Sequence, residues 1–466
     1  MRAVVALGML LVAGCAEFSP DAGMSAVSSA VRDKVGGETV KIASVADARR
    51  ARERVDALLH DPLTADTAVQ VALLNNKSLQ AAYNDLGLSE IAGVEASLPP
   101  NPRLSLSRLA GSGIVEWEFR LLGNILSLAT LPARKAIAKQ RFAQAQQMAI
   151  EATYRLALRT RRAWVNAIAA QQIVGYLEQS RLAADATADL LRKLGETGGA
   201  TKLEQARAAA AYAELSAQLA RARLRARQER AALTRLLGLW EQEVRLPTQL
   251  PALPARLRPI ANVEAEAITG RVDIAIARQE LAILARSIDL AEATRFVSLF
   301  ELSGLVSTEH DPDGRTTRGG FELELEIPIF DGGQVKLRRE REAYMRAVNQ
   351  LAAVAAAARS EARMAYQSWR ATHEIAQHYQ ARVLPLRRVI AQETLLRYNG
   401  MLADVFELLV ETRERVAANI AAIEARRDFL LAEIDLRAAV IGGGASPMSA
   451  TPSPTAQPAA NAGGGH

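Results

Sequence analysis

Residues 321–329 read Phe-Glu-Leu-Glu-Leu-Glu-Ile-Pro-Ile. Side chains alternate between the two sides of a β-strand, so this stretch predicts a strand with one apolar side and one acidic side. The apolar side comprises Phe321, Leu323, Leu325, Ile327 and Ile329, and the acidic side Glu322, Glu324 and Glu326. Such a strand needs apolar material against one face and water against the other.

Residues 115–121 repeat this pattern in the first half of the chain. Val115, Trp117, Phe119 and Leu121 alternate with Glu116, Glu118 and Arg120. Weaker partner segments surround Leu104 and Leu106, and Phe300 and Leu302. Half-buried hairpins of a soluble protein would alternate in this way, and so would the strands of a transmembrane barrel. The barrel is the favoured interpretation, because these strands are isolated between very long helical segments.

Four strands cannot close a barrel, and lipid does not tolerate an open sheet edge. If these strands span a membrane, several chains must share one barrel, and three copies would supply about twelve strands around a water-filled lumen. The predicted lumen residues are Glu116, Glu118, Arg120, Glu322, Glu324 and Glu326. The glutamates would favour cations, and Arg120 would moderate that preference.

The chain is internally duplicated. Trp164 and Trp369 lie 205 positions apart, and residues 191–195 resemble 396–400 at the same displacement. Upstream the displacement falls to about 195, since the second half inserts a predicted turn at 310–314. Each half has the predicted order helix, hairpin, long helix, break, helix. The predicted units are repeat 1 at 63–244, a proline-rich linker at 245–260 and repeat 2 at 261–442.

Long helices dominate the rest. Apolar residues spaced alternately by four and three predict coiled-coil seams, many of whose positions are alanine. The seams comprise Ala138, Phe142, Ala145, Ala149, Ala152 and Leu156 in the first half, and Tyr344, Val348, Leu351, Ala355, Ala358, Ala362, Ala365 and Trp369 in the second. Residues 334–397 would form a helix of roughly 100 Å. Pro385 should kink or loosen it, because proline lacks a backbone donor. The predicted fold class is therefore mainly α with a small β part.

The N-terminus has the features of a secretory signal. Arg2 precedes an apolar run at residues 3–12, too short to span a bilayer as a mature helix. The small residues before Cys15, the only cysteine, resemble the lipobox of bacterial lipoproteins. That resemblance implies a signal peptide at 1–14, lipidation of Cys15 and a lipid-anchored segment at 15–62; an ordinary signal with an incidental cysteine is the alternative. Elsewhere no run of 18 apolar residues predicts a transmembrane helix, and residues 443–466 are expected to be disordered.

Other chemistry finds little support. The net charge is +6, but charges alternate along the helices as on solvated faces, and no basic cluster with interleaved aromatics predicts nucleic-acid binding. His373 and His378 are five residues apart and predict solvated positions on different faces of a helix. No catalytic motif, metal site or cofactor is predicted, and the chain is not expected to be an enzyme.

Several segments together resemble the TolC-like outer-membrane factor family. They are residues 72–83, 98–102, 131–134, 328–333 and 397–409, and the resemblance covers about 63–442. It implies a homotrimer with a 12-stranded outer-membrane β-barrel and a periplasmic α-helical tunnel. It also implies a periplasmic adaptor and an inner-membrane pump of the RND type as partners. The expected function is passive export of drugs or metal cations.

The resemblance also implies roles for the helical tips. Asp404, Phe406 and Glu407 are the candidates for the periplasmic aperture, although the spacing departs from the family pattern. The candidate adaptor contacts are Gly195, Gly198, Gly199, Tyr398 and Gly400. For the glycines, an ordinary helix C-cap is the structural alternative. Two other functions stay open: an outer-membrane duct for type I polypeptide secretion, and a periplasmic coiled-coil lipoprotein scaffold without a pore.

Overall fold

The computed structural model describes residues 18–111, 114–240, 242, 244–311 and 314–444. The predicted signal peptide, Cys15 and almost all of the predicted tail lie outside these residues. In the described part, no helix combines the length and the apolarity needed to cross a membrane.

Helices and one small sheet make up the chain. The helices are α1 (Met24–Lys34), α2 (Val45–Leu59), α3 (Ala65–Asn75), α4 (Lys77–Ser97), α5 (Ile125–Ala129), α6 (Leu131–Glu196), α7 (Lys202–Leu236), α8 (Val263–Gly270), α9 (Val272–Ala293), α10 (Gln334–His378), a π-helical turn (Tyr379–Val383), α11 (Leu384–Asn399) and α12 (Val405–Ile441). The strands are β1 (Arg103–Gly111), β2 (Ile114–Asn124), β3 (Leu299–Asp311) and β4 (Gly314–Glu326). The predicted mainly α fold with a small β part is confirmed.

The two predicted hairpins form a single antiparallel sheet in the order β1-β2-β3-β4. The central pair joins the halves, with Phe119 opposite Val306. Two predicted boundaries were wrong. His310 belongs to β3 and pairs with Arg315, so the turn is shorter than expected, and β4 ends at Glu326, before Ile327 and Ile329. Pro328 accounts for the early end, because proline cannot donate to a strand ladder.

The long helices carry the fold away from the sheet. Helix α6 has 66 residues, about 100 Å at 1.5 Å per residue, and α7 packs along it. No position of either predicted seam is exposed. In α10, Ala358, Ala362 and Trp369 are buried at spacings of four and seven residues, as the predicted seam requires.

Pro385 loosens the second long helix as predicted. The π-helical turn Tyr379–Val383 ends two residues before it, and a helix resumes at Leu384. A proline removes one donor from the ladder and its ring displaces the preceding carbonyl, which a wider turn accommodates.

The C-terminal ends of α7 and α12, the two helices that run back from the tips, are capped by residues that lie between pairs of shorter helices. Asn76, between α3 and α4, donates from Nδ2 to the Leu236 carbonyl at 2.9 Å. Arg271, between α8 and α9, donates to the Ala439 carbonyl at 3.3 Å. Asn76 and Arg271 are 195 positions apart, as the duplication predicts for this region. Both satisfy C-terminal carbonyls that lack partners within their helix.

The helices pack around two main apolar cores, and residues 245–260 run from one core to the other. Leu250 is buried in the first core, while Leu253, Leu257 and Ile260 pack against the second. The solvated position predicted for His373 was wrong, since its side chain is buried. Its Nε2 lies 2.8 Å from the Pro254 carbonyl oxygen and its ring packs edge-on against Phe429. His378 is exposed.

The duplicated tryptophans allow a matched stability test. Trp164 Nε1 donates to the Leu63 carbonyl at 2.8 Å, whereas Trp369 Nε1 is buried without a partner among the described residues. Trp164→Phe strands a buried carbonyl and should cost about 1–3 kcal/mol more than Trp369→Phe, which removes an unpaired donor. The midpoint of thermal unfolding in detergent, followed by circular dichroism, measures the difference. Equal losses for the two variants would contradict this expectation.

Candidate functional site

The sheet has two chemically different faces. Its register places on one face the alternating positions Leu104, Leu106, Val115, Trp117, Phe119, Leu121, Phe300, Leu302, Val306, Phe321, Leu323 and Leu325. Most of these side chains are exposed, with Phe321 80% and Leu104 71% accessible. No described helix covers this apolar face, and so large an exposed patch marks a surface that meets lipid or another protein.

The opposite face is charged. All six predicted lumen residues lie on it: Glu116, Glu118, Arg120, Glu322, Glu324 and Glu326. Arg120 bridges two strands, pairing with Glu118 at 2.8 Å and with Glu322 at 3.0 Å. The moderating role expected of Arg120 thus has a geometric basis.

Sequence reasoning left four charged residues of this face out of the candidate site. Arg103 pairs with Glu301 at 2.6 Å, and Arg318 with Glu309 at 3.4 Å. The available signal was the alternation of polar and apolar residues in β1, in β3 and in the first half of β4. It is weaker there than in residues 321–326. Among the described side chains, seven glutamates and three arginines give this face a net charge of −4 (3 − 7).

The apolar face stops before the hairpin ends. Arg108 lies on it with its guanidinium carbon 5.6 Å from the centre of the Trp117 ring. In the next row the same face carries His310 and Arg315 beside Val115. The apolar surface is therefore a band on the helix-proximal part of the sheet.

At the far end of the long helices the two tips lie together. The first joins α6 to α7 and the second joins α11 to α12. Leu191, Ala208 and Val405 form one apolar cluster, with Tyr398 packed against it. The structure thus brings together the two tips on which the predicted adaptor-contact residues lie, and places Tyr398 between them.

The two tips have the same backbone design. In the first, Gly198 is left-handed (φ 80°) and Gly199 N–H bonds the Leu194 carbonyl at 2.7 Å. In the second, Met401 is left-handed (φ 58°) and Leu402 N–H bonds the Arg397 carbonyl at 2.8 Å. Each is a Schellman C-cap.

The equivalence corrects the sequence comparison, which paired Gly195 with Gly400. The structural displacement at the tips is 203 residues, pairing Gly198 with Met401. The left-handed cap in the second tip is accordingly Met401, and Gly400 has an ordinary φ of −83°. Gly195 lies against the side chain of Gln205.

All three predicted aperture residues make contacts within the chain. Asp404 is the N-cap of α12 and accepts from Glu407 N–H at 2.8 Å. Glu407 pairs with Arg397 at 3.1 Å, and the Arg207 guanidinium carbon lies 4.6 Å from the centre of the Phe406 ring. Arg207 and Arg397 were not among the predicted site residues, because each looks like an ordinary helix-surface charge until the tips are brought together.

The first tip has the corresponding N-cap at Thr201. Glu204 closes a capping box with it, and hydrogen bonds from the Thr201 backbone N–H and hydroxyl lower the pKa of Glu204 below its ordinary 4.5. A lowered carboxyl pKa stabilises the folded tip above the unfolded value, and this stabilisation is lost as the pH falls through the folded value.

The described residues contain no group of three or more His, Cys, Asp or Glu side chains arranged to hold a metal ion.

Comparisons with known proteins bear on the fold. The sequence matches no protein-family model and no curated protein. The CmeC outer membrane channel of Campylobacter jejuni is 17% identical with a TM-score of 0.66, covering 85% of this chain and 86% of that one. The outer membrane protein VceC of Vibrio cholerae is 16% identical with a TM-score of 0.66, over 85% and 98% of the two chains. The open state of the Neisseria gonorrhoeae MtrE outer membrane channel is 18% identical with a TM-score of 0.67, over 81% and 89%.

At such low identity these likenesses establish the fold. The chain has the architecture of the outer-membrane channels, and the resemblance to TolC-like outer-membrane factors is confirmed at the level of the fold.

The paired caps allow a test of the tips. Gly198→Ala puts a side chain on a left-handed residue and should destabilise the first tip by about 1–2 kcal/mol. Amide hydrogen exchange near Leu194 should become roughly 5–30 times faster. Met401→Gly is the matched control, since it removes the same strain from the second tip and should slow exchange there. Faster exchange in both variants would contradict the assignment of the two caps.

Proposed function

We propose that this chain is a subunit of a homotrimeric outer-membrane channel, a passive duct through which a tripartite efflux pump exports drugs or metal cations. One observation carries the proposal. The four-stranded sheet has one uncovered apolar face, one charged face and two open edges, and it stands at the end of helices about 100 Å long.

The open edges require other copies of the chain. Strands β1 and β4 each have one unpaired side among the described residues. Lipid cannot hydrogen-bond to those backbone groups, so β4 of one copy must pair with β1 of the next. Three copies close a barrel of about twelve strands, which is wide enough for a water-filled lumen.

The apolar band has dimensions suited to an outer membrane. In β3 it runs from Phe300 to the row of Trp117, opposite Thr308, which is roughly 26 Å of strand. A strand tilt of about 40° reduces its height to about 20 Å, near the ~25 Å typical of outer-membrane barrels. Trp117 at the edge of the band fits the aromatic girdle of such barrels.

The remaining parts complete the duct. The long helices form a tunnel through the periplasm, and the tips at Gly198 and Met401 meet a periplasmic adaptor coupled to an inner-membrane pump of the RND type. Lipid on Cys15 and the segment that follows it anchor each subunit beside the barrel. The inner-membrane pump selects the cargo, and the duct itself performs no chemistry.

Ion selectivity tests the barrel and its lumen together. The purified protein should run as a trimer and conduct in planar bilayers with a preference for cations. Replacing Glu322, Glu324 and Glu326 with Gln removes nine of the twelve net negative charges that the described side chains of this face give a trimer (3 × 3 of 3 × 4). The reversal potential in a salt gradient should then shift towards zero. As a matched control, Glu292→Gln on the exposed surface of α9 should leave it unchanged.

A monomer that does not conduct would contradict the duct. An unaltered cation preference in the triple variant would contradict the assignment of the lumen and leave the duct in place.

Conductance also tests the aperture. Glu407→Ala frees Arg397 and Asp404→Ala removes the cap of α12, so both should loosen the second tip and raise the conductance of the closed state. Thr201→Ala removes the equivalent cap from the first tip and serves as the comparison, expected to have a smaller effect. Unchanged closed-state conductance in both acidic variants would show that neither residue narrows the aperture.

A further inference from the structure

Close to the sheet, four helices form a wall in the order α4, α6, α9, α10. Helix α6 packs between α4 and α9, and α9 packs against α10. A pocket of 360 Å³ nevertheless receives side chains from all four helices. Only a wall that curves towards the pocket can bring its outer members, α4 and α10, around one space, so the pocket lies on the concave side.

The N-terminal segment identifies the other side of this wall. In α4, Gln80 bonds the backbone of Ile42 and Val40, whereas Ser89 lines the pocket. In α6, Gln146 donates to the Gly23 carbonyl, whereas Ile137 lines the pocket. Each pair is nine residues apart, about two and a half helical turns, and therefore on opposite faces. The N-terminal segment covers the convex face.

The pocket lining is basic. Its charged side chains are Arg134, Arg141, Lys336 and Glu340, and the Ser89 hydroxyl is a neutral donor, whereas the Ser287 hydroxyl donates to the Ile283 carbonyl at 3.1 Å. Among the described residues none of the three cations forms an ion pair, and Lys336 bonds only the Thr294 hydroxyl, at 3.2 Å. The adjoining pocket, farther from the sheet, is lined instead by Asp85 and Glu280 together with Arg141. The excess of positive charge is therefore local.

We infer that this pocket is a binding site for oxyanions, of the phosphate or carboxylate kind, in the lumen just below the barrel. The lumenal position rests on the proposed duct, in which the concave face of the wall encloses the passage. Guanidinium groups bind two oxygens of one anion in a fork, and the Ser89 hydroxyl can donate to another. The site would hold the anionic group of a passing cargo molecule.

The lumen would consequently have two zones. The acidic sheet face repels anions and the basic pockets, three per trimer, attract them. An anionic cargo molecule would be retained below the barrel until the flow of further cargo drives it outwards, while cationic cargo would pass the pocket and be attracted by the barrel.

Two kinds of variant separate charge from space. Arg134→Gln with Lys336→Gln removes cations of the pocket. Gly93→Leu fills it at unchanged charge, since a Cβ at this lining position meets no atom within 4 Å and the backbone can accept a side chain. Lys135→Gln with Arg338→Gln is the matched control, because these exposed residues lie on the same helical turns and do not line the pocket.

Inorganic phosphate is the probe, titrated against chloride at constant ionic strength into the purified full chain in detergent. Calorimetry should find saturable binding. Both pocket variants should weaken it by about tenfold or more, and the control pair should not. Absence of saturable binding, or equal weakening in the control pair, would overturn the site.

Bilayer recordings on the same samples separate the two proposals. A trimer that conducts but does not bind phosphate would overturn the site and leave the duct. Phosphate binding without conductance would overturn the duct and the lumenal position, and leave a pocket that binds anions.

Discussion

The backbone hydrogen bonds at the two edges of the small sheet are the constraint on which the rest depends. Strands β1 and β4 present N–H and C=O groups that the described part of the chain does not satisfy. Water could satisfy them in a soluble protein, but the uncovered apolar face makes water an unfavourable surrounding for this sheet. An apolar surrounding, in turn, demands paired edges. The proposed closure with further copies of the chain would meet both demands.

The long helices are stabilised by close packing and by caps at their ends. Alanine at most seam positions lets them approach closely, and Ala358, Ala362 and Trp369 are buried at the four- and seven-residue spacings of a coiled-coil seam. Specific residues cap the helix ends. Asn76 and Arg271 donate to the last carbonyls of α7 and α12, and the left-handed Gly198 and Met401 end α6 and α11 at the tips. In the two halves of the chain, equivalent backbone positions therefore have the same structural role even where the residue type differs. Glycine and methionine occupy one backbone role, as do asparagine and arginine.

Charge is distributed along the molecule in zones. The described side chains of the charged sheet face have a net charge of −4, and the pocket at the helix–sheet junction has three cations against one acid. At the tips, each charged side chain of the predicted aperture already has a partner within the chain. Ion pairs and hydrogen bonds within the chain thus weaken the electrostatic field of the sheet face and of the tips. The cations of the junction pocket have no such ion pairs among the described residues.

The amino-acid sequence by itself determined the local features. Alternation along residues 321–326 specified a two-sided strand, alanine seams specified long packed helices, and Pro385 specified a local loosening, because each depends on neighbours within a few positions. Contacts between distant segments were decided only by the tertiary structure. The joining of two hairpins into one sheet, the burial of His373 beneath Pro254, the left-handed Met401 and the meeting of Arg134 with Lys336 all depend on which surfaces face each other. The sequence lists charges along a line, whereas packing four helices side by side decides which of them share a pocket.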